Sequence, residues 1–95
     1  MPLRFIGDVG IYFPDRDAIK ITALSGHERV DCYAMRSALA EIGCAPNDPM
    51  HRLVDRFQER RGVIELAAKV KYRRSALRSA VLAIGKEDVL PLAWL

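Results

Sequence analysis

The sequence contains no apolar run long enough to cross a membrane. Its longest candidate is residues 89–95, which are interrupted by Pro91, although 51% of the 95 residues are hydrophobic. A membrane-spanning helix needs about 20 consecutive apolar residues, and the N-terminal residues also lack the apolar stretch of a secretory signal. We therefore expect a single cytoplasmic domain, residues 1–95, with no membrane partner.

Cysteine and histidine are also scarce. Cys32 and Cys44 form no CxxC pair, so reduced thiols in the cytoplasm are a better interpretation than a disulfide-stapled secreted scaffold. We expect Cys32 to be a small core residue on a strand, whereas the loop position of Cys44 allows it to be exposed. His27 and His51 are isolated and make no metal-ligand spacing, and no glycine-rich phosphate loop is present. The sequence therefore predicts no catalytic residue, metal or cofactor, and we expect a protein that is not an enzyme.

Positive charge is concentrated in one part of the chain. The protein carries 15 Lys and Arg against 12 Asp and Glu, a net charge of +3. Residues 49–78 hold nine of the basic residues and three of the acids, a local net charge of +6, while the remaining residues carry −3. This asymmetry indicates a basic surface that either stays solvated or meets an anionic partner.

The first third of the chain has the period-two pattern of β-strands. Apolar residues alternate with small or polar ones over residues 9–13, 19–24 and 30–35, as in half-buried strands. The apolar members are Val9, Ile11, Phe13, Ile19, Ile21, Ala23, Val30, Cys32 and Ala34. Short turns at residues 14–17 and 25–28 separate the runs, and connections of this length join antiparallel neighbours. We therefore expect an antiparallel β-meander.

Helical periodicity begins at Arg36. A short helix containing Leu39 and Ile42 should end at Gly43, and residues 48–78 predict one long helix. Asp48 is placed to cap its N-terminus, with Pro49 at the first helical position. The apolar face that should cover the sheet consists of Met50, Leu53, Val54, Phe57, Ile64, Ala67 and Ala68. Gly62, roughly 1 kcal/mol less favourable than alanine in a helix, predicts a bend or weak point.

Beyond Gly62 the long helix has a second apolar row on roughly its opposite side. The row consists of Val63, Leu66, Val70 and Leu77. Since a helix that is apolar on two sides is buried on two sides, the row needs a cover. The short helix, the C-terminal tail with Trp94, or the same face of a second copy can supply it. A small core gains most from a partner, so we favour a homodimer whose candidate interface is Val63, Leu66, Val70 and Trp94.

The C-terminal part of the chain is ambiguous. Residues 75–84 fit another helical turn or two, and residues 80–84 fit a fourth strand equally well, because periodicity does not decide between them. Residues 85–88 predict a turn, and residues 89–95 form an apolar tail.

The order of these elements resembles that of a known family. The segments that carry the resemblance are residues 18–23 (AIKITA), Gly26, residues 30–33 (VDCY), Ala38-Leu39, residues 57–61 (FQERR) and residues 64–68 (IELAA). Over roughly residues 9–90, the chain is similar to the small bacterial family known as domain of unknown function 1488. The resemblance implies a compact α+β fold with a β-meander of three to four strands, a long helix and a returning strand at residues 80–84. It implies no activity, since none is established for the family, and residues 90–95 depart from its pattern.

A second hypothesis concerns the basic end of the long helix. The basic cluster consists of Lys69, Lys71, Arg73, Arg74 and Arg78, with no acid between them. Such a cluster can neutralise the phosphates of a nucleic acid, and Arg52, Arg56 and Arg60 would extend it along the helix. Alternatively, the cations are solvated and favoured there by the helix dipole. Weak, sequence-nonspecific nucleic-acid binding is therefore our alternative to a protein-interaction module that homodimerises.

Overall fold

The computed structural model describes residues 3–74 and 80–92, and only the backbone of Asp8 and Val9. Within this part of the chain, one sheet has the strand order β1-β2-β3-β4. The strands are β1 (Arg4–Phe13), β2 (Ala18–Ser25), β3 (Glu28–Met35) and β4 (Val81–Ile84). The α-helices described are α1 (Arg36–Glu41), α2 (Met50–Glu59), α3 (Arg61–Arg74) and α4 (Lys86–Val89). The fold is α+β, as the sequence predicted.

Strands β1 to β3 form the predicted antiparallel meander. A single 3-10 turn, Pro14–Arg16, and Asp17 in the left-handed region (φ 48°) connect β1 to β2. Gly26 (φ 64°) supplies the tight turn between β2 and β3, because glycine adopts positive φ without a steric cost. The alternation expected in β2 and β3 is confirmed, since Ile19, Ile21, Ala23, Val30, Cys32 and Ala34 are all buried.

The fourth strand is confirmed at Val81–Ile84, but it pairs with β3 in parallel. The expectation that a fourth strand would also be antiparallel is therefore wrong. The long connection through α1, α2 and α3 explains the difference, because a crossover of a dozen residues or more carries the chain back to the end of the sheet from which it left. Residues 75–79, which precede this strand, lie outside the described residues.

The predicted long helix is two helices, with a break at Arg60 (φ −118°, ψ 21°). The bend or weak point predicted near Gly62 is confirmed two residues before it, and Gly62 itself is the second residue of α3. The Arg60 amide donates to the carbonyls of both Arg56 (3.2 Å) and Phe57 (3.1 Å), which ends α2, and the Arg60 carbonyl accepts from Val63 (3.1 Å) to begin α3. The chain can therefore change direction without leaving these backbone groups unpaired.

The expected N-cap at Asp48 is wrong. Pro49 occupies the cap position, and its carbonyl accepts from the amides of Arg52 (3.0 Å) and Leu53 (3.1 Å). The Asp48 carboxylate accepts from the Ala45 amide at 2.7 Å instead. Aspartate competes for nearby backbone amides in this way in turns, so it closes the loop before α2 and leaves the helix end uncapped by any side chain.

The core lies between the sheet and the helices. Of the predicted helical face, Leu53, Phe57, Ile64, Ala67 and Ala68 are buried and Val54 is half-buried, as expected. Met50 is the exception, because it is 58% exposed. It stands at the first residue of α2, beyond the part of the helix that rests on β1 and β2.

The C-terminal segment closes one end of this core. The turn expected at residues 85–88 is largely the one-turn helix α4, and the Asp88 carboxylate accepts from the Gly85 amide at 2.9 Å. Val89 is fully buried and Leu92 packs against the core, so the beginning of the predicted tail is covered by its own chain. Trp94 lies outside the described residues. No helix within residues 3–74 or 80–92 is long and apolar enough to cross a membrane.

Candidate interaction surfaces

Both thiols are buried. Cys32 lies on the covered face of β3, and burial raises its pKa to about 12, with a smaller contribution from the charge of Asp31. Cys44, which its loop position would have allowed to be exposed, is buried as well, and this burial raises its pKa. A thiol reacts as its thiolate, so the geometry makes a poor nucleophile of either cysteine. Both cysteines are free.

The histidines are exposed and lie on different elements, His27 in the turn between β2 and β3 and His51 in the first turn of α2. Among the described residues, no group of three or more His, Cys, Asp or Glu side chains is arranged to hold a metal ion.

The second apolar row lies on the side of α3 that faces away from the core. Val63 and Val70 are half-buried, and Leu66 between them is 41% exposed. Val63 packs against the edge of the core. Val70 borders a small cavity of about 210 Å³ together with Pro91 and Leu92, so the C-terminal segment partly covers that end of the row. Leu77 and Trp94 lie outside the described residues.

The structure divides the predicted basic cluster. Lys71 points into the protein, where its ammonium donates to the Ala83 carbonyl (2.5 Å) and pairs with Asp88 (3.0 Å). Lys69, Arg73 and Arg74 are exposed, while Arg78 lies outside the described residues. Lys71 therefore ties α3 to β4 and α4, and among the described members of the cluster the three exposed cations are available to a partner.

The three arginines of α2 lie in solvent. Arg52, Arg56 and Arg60 are all exposed, and Arg56 pairs with Glu59 across one helical turn at 3.2 Å. Exposed pairs of this kind contribute little to stability.

A surface that the sequence reasoning missed is the open face of the sheet, which we define as the side away from the helices. It carries three exposed aliphatic side chains: Ile6 (42%), Ile11 (65%) and Val81 (41%). In the register of β1 with β2, Ile11 pairs with Lys20, whereas Tyr12 pairs with the buried Ile19. The side of β1 that was expected to be buried therefore faces away from the helices, as its described side chains, Ile11 and Phe13, show. Gly10 and Tyr12 face the helices instead.

Gly10 explains why β1 has this orientation. An added Cβ at Gly10 would lie 2.6 Å from Ile19 Cγ2 and 2.8 Å from Phe57 Cε2, so the ring of α2 rests directly on the β1 backbone. The Gly10 amide also donates to Gln58 Oε1 at 2.9 Å. Glycine inside a strand often marks such a close approach, and this was the signal in the sequence that could have identified the covered side of β1.

A bulge in β1 opens a concavity on the open face. Pairing with β2 shifts register between Ile6 and Ile11, where Gly7 has φ 84° and its carbonyl accepts from Arg61 at 3.0 Å. The resulting concavity has a volume of about 360 Å³. Its lining consists of Ile6, Gly7, Ile11, Ile21, Lys20, Thr22 and Arg29.

Beside this concavity, cations lie over aromatic rings. The Arg16 guanidinium is 4.5 Å from the centre of the Tyr33 ring, which meets Phe13 edge to face at 5.8 Å. The Lys20 ammonium lies 5.9 Å from the centre of the Phe13 ring. These contacts fix the two cations on the open face, because each ring attracts a positive charge.

A polar cluster ties the meander to the helices. Arg36 donates to both carboxylate oxygens of Asp17, at 2.8 and 3.1 Å, and Tyr12 donates to one of them at 2.7 Å. The bonds from Arg36 and then Tyr12 hold the pKa of Asp17 below its usual value, and the bond to Asp17 raises the pKa of Tyr12. Tyr12, Asp17 and Arg36 hydrogen-bond to one another, so the cluster positions α1 against the turn between β1 and β2. We assign it a structural role and no catalytic one.

Comparisons with known proteins leave function to be inferred from these surfaces. No protein-family model, no curated protein and no solved structure matches the chain. The resemblance to the domain of unknown function 1488 therefore stays a prediction.

Proposed function

We propose that the protein is a non-catalytic interaction module that self-associates as a homodimer through the outer face of α3. The observation that carries the proposal is Leu66, 41% exposed between the half-buried Val63 and Val70 on the side of α3 that no described element fully covers. Each copy therefore offers an aliphatic strip to solvent, and burying aliphatic area against a like surface is favourable.

Gly62 makes this face fit a second copy. When two antiparallel helices cross at the same residue, positions equally far on either side of it face each other. With Leu66 at the crossing, Val70 of one copy lies over Gly62 of the other. Gly62 is exposed, and no atom of its own chain comes within 4 Å of an added Cβ. It therefore leaves a gap in the helix surface that a valine can fill, as ridges fill grooves between packed helices.

The flanking charges set how this dimer should respond to salt. Lys69 and Arg73 are exposed beside the strip, and a symmetric interface brings the cations of the two copies near each other. Screening weakens repulsion between exposed like charges. Self-association should therefore become stronger as ionic strength rises, the opposite of what phosphate binding would do.

Light scattering and sedimentation equilibrium at micromolar to submillimolar concentration test this proposal. We expect the mass to rise from 10.7 kDa toward twice that value. Leu66→Ser and Gly62→Gln should both return the protein to monomer, one by removing the contact and the other by filling the gap. Met50→Ser is the matched control, because Met50 is also an exposed apolar residue (58%, against 41% for Leu66) but lies on α2. A single 10.7 kDa species over this whole concentration range would contradict the proposal.

We also propose a cytoplasmic location. It is supported by two free thiols in a small protein, since disulfides are the usual state of cysteines in small secreted domains. Intact cells that express Thr22→Cys, whose added thiol lies on the open face of β2, would test this location when they are treated with a membrane-impermeant thiol reagent. Recovery of labelled protein would contradict it.

A further inference from the structure

The open face of the sheet has an excess of positive charge. Among the described outward strand positions, Arg4, Lys20 and Arg29 face one carboxylate, Asp31. That carboxylate is already engaged, since Arg29 contacts it at 2.9 Å and Lys20 at 3.9 Å. Among the described side chains of this face, no carboxylate is left over for the cations, and the electrostatic complement of these side chains is an anion.

The same face has an apolar cavity within reach of those cations. Ile6 and Ile11 line the β1–β2 concavity on this face together with Lys20 and Arg29, whereas the side chain of Ile21, which also borders the concavity, is buried on the covered face. An inorganic anion would satisfy the cations but would leave the isoleucines exposed. A ligand that complements both carries a flat apolar group and a negative charge a few ångströms apart.

Arg16 extends this surface. Its guanidinium carbon lies 4.5 Å from the centre of the Tyr33 ring, and no ion pair of Arg16 with a carboxylate is found among the described residues. An arginine held in this way presents its donors, and its other flat side, to solvent. Lys20 links it to the concavity, because its side chain both lines the concavity and approaches the Phe13 ring beside Tyr33.

We propose that the open face binds single-stranded nucleic acid. One unpaired base enters the concavity against Ile6 and Ile11, and the adjoining phosphates lie on Lys20, Arg29 and Arg16. A basic groove with platforms for bases is how proteins hold single strands without reading their sequence. Paired bases cannot enter such a concavity without leaving the duplex stack, so the surface selects single strands. This site is separate from the outer face of α3 and does not depend on self-association.

Fluorescence anisotropy with a labelled oligothymidylate of about 12 nucleotides, a length on the scale of one small binding domain, tests the proposal. Binding should weaken steeply between about 50 and 200 mM salt. Lys20→Gln with Arg29→Gln should lower affinity about tenfold or more and reduce the salt slope by about two, one for each lost phosphate contact. Ile11→Ser should lower affinity several-fold with the slope unchanged, because no charge is removed.

The matched control is Arg73→Gln with Arg74→Gln, which removes two exposed cations from α3 and should leave the affinity as it is. Circular dichroism melting of each variant separates lost binding from lost folding. The proposal is overturned if no binding occurs at low salt, or if the α3 variant abolishes binding while the sheet variants retain it. It is also overturned if a mononucleotide, a duplex of the same length or a polyglutamate peptide binds as tightly as the single strand.

Discussion

The two faces of the sheet are built from the same strands and carry different side chains for different reasons. On the covered face, every residue of the central rows in β2 and β3 is aliphatic or small and buried beneath the helices. On the open face, β2 and β3 present Lys20, Thr22, Arg29 and Asp31, as expected for a sheet with one side in water. Only β1 and β4, the edge strands, place exposed aliphatic side chains there.

The difference between the two faces shows which side chains the fold needs for stability and which it does not. The covered face cannot lose its side chains without leaving cavities under the helices. Ile6, Ile11 and Val81 stabilise the fold less than core residues do, because between 41% and 65% of each residue's surface remains in water after folding. Aliphatic side chains that the fold does not need are the ones most available to a partner.

The sharpest contrast between the faces is Phe57→Ala against Ile11→Ala. Phe57 is fully buried between α2 and the sheet, and its truncation should cost about 3–5 kcal/mol of unfolding free energy. Ile11→Ala should cost less than about 1 kcal/mol. Urea unfolding followed by circular dichroism measures both, and similar losses would show that the open face is part of the core.

A second contrast uses two glycines. Gly10→Ala should destabilise the protein by about 1–3 kcal/mol, because the new methyl group would overlap Ile19 and Phe57 in a filled core. Gly62→Ala meets no atom within 4 Å and lies in a helix, so it should be neutral or stabilising by up to about 1 kcal/mol. Destabilisation by both variants in the same denaturant series would mean that α3 needs glycine for another reason.

The covered and open faces of the sheet should differ in the rate at which a cysteine thiol on each of them reacts. At pH 8, a pKa of about 12 leaves roughly one Cys32 thiol in ten thousand ionised, against about a tenth at an ordinary thiol pKa near 9. The native protein should therefore react very slowly with Ellman's reagent, and both thiols should react in urea. Thr22→Cys, on the open face of β2, should add one fast thiol. Fast reaction of the unsubstituted native protein would contradict the burial of β3.

The raised thiol pKa also predicts a loss of stability in alkali. Below pH 9.0, the ordinary pKa of a thiol, Cys32 is neutral in both the folded and the unfolded chain and has no effect. Above it, only the unfolded chain ionises this thiol, so unfolding becomes more favourable by up to about 1.4 kcal/mol per pH unit until about pH 12. Cys32→Ala should flatten the decline of the urea midpoint between pH 9 and 11, after correction for its own cavity.

The smallest expected effect lies at the turn that joins β1 and β2. Bonds to Arg36 and Tyr12 lower the pKa of Asp17 below 3.8, so its charge stabilises the fold above that pH, and the contribution is lost as the pH falls through the lowered pKa. The side chain is half exposed, and we expect a loss below about 1 kcal/mol in Asp17→Asn at pH 7.

Asparagine keeps the left-handed backbone at Asp17 favourable, so the substitution isolates the charge. Asp15→Asn, at an exposed position of the same turn, is the control and should change nothing measurable. The difference between the two variants should shrink at high salt and vanish near pH 2. Urea midpoints measured across pH test this expectation. A difference between the two variants that persisted at low pH would show that Asp17 acts through its shape and not its charge.

Local patterns predicted the elements well where one physical cause acts alone. The alternation of β2 and β3 and the end of α1 near Gly43 follow from burial period and turn residues, whereas periodicity left residues 80–84 open between helix and strand. The predicted Asp48 cap is wrong because the backbone amides of the helix and the Ala45 amide compete for the same carboxylate. The Asp48 carboxylate accepts from the Ala45 amide. Helix propensity placed a weak point near Gly62, but the position of the break at Arg60 also depends on packing, because α2 rests on β1 and β2 whereas α3 rests on β4.

The predicted basic cluster shows the same limit. Five cations close in sequence suggest one patch, but a helix distributes successive residues around its axis. Lys71 thereby meets Asp88 and the Ala83 carbonyl from distant parts of the chain, while Lys69 and Arg73 remain in water. Which cations are free is therefore a property of the packing.

By itself, the sequence determined that the chain is α+β, that β2 and β3 each have one apolar side, and that α3 is apolar beyond what one face needs. Those properties depend on residue period, which is local. Tertiary structure decided which side of β1 faces the helices, the parallel direction of β4 and the position of the β1–β2 concavity. Each of these depends on contacts between residues far apart in the chain, above all the contact of the Phe57 ring with Gly10. A local sequence pattern does not specify which distant side chain will pack against a given residue.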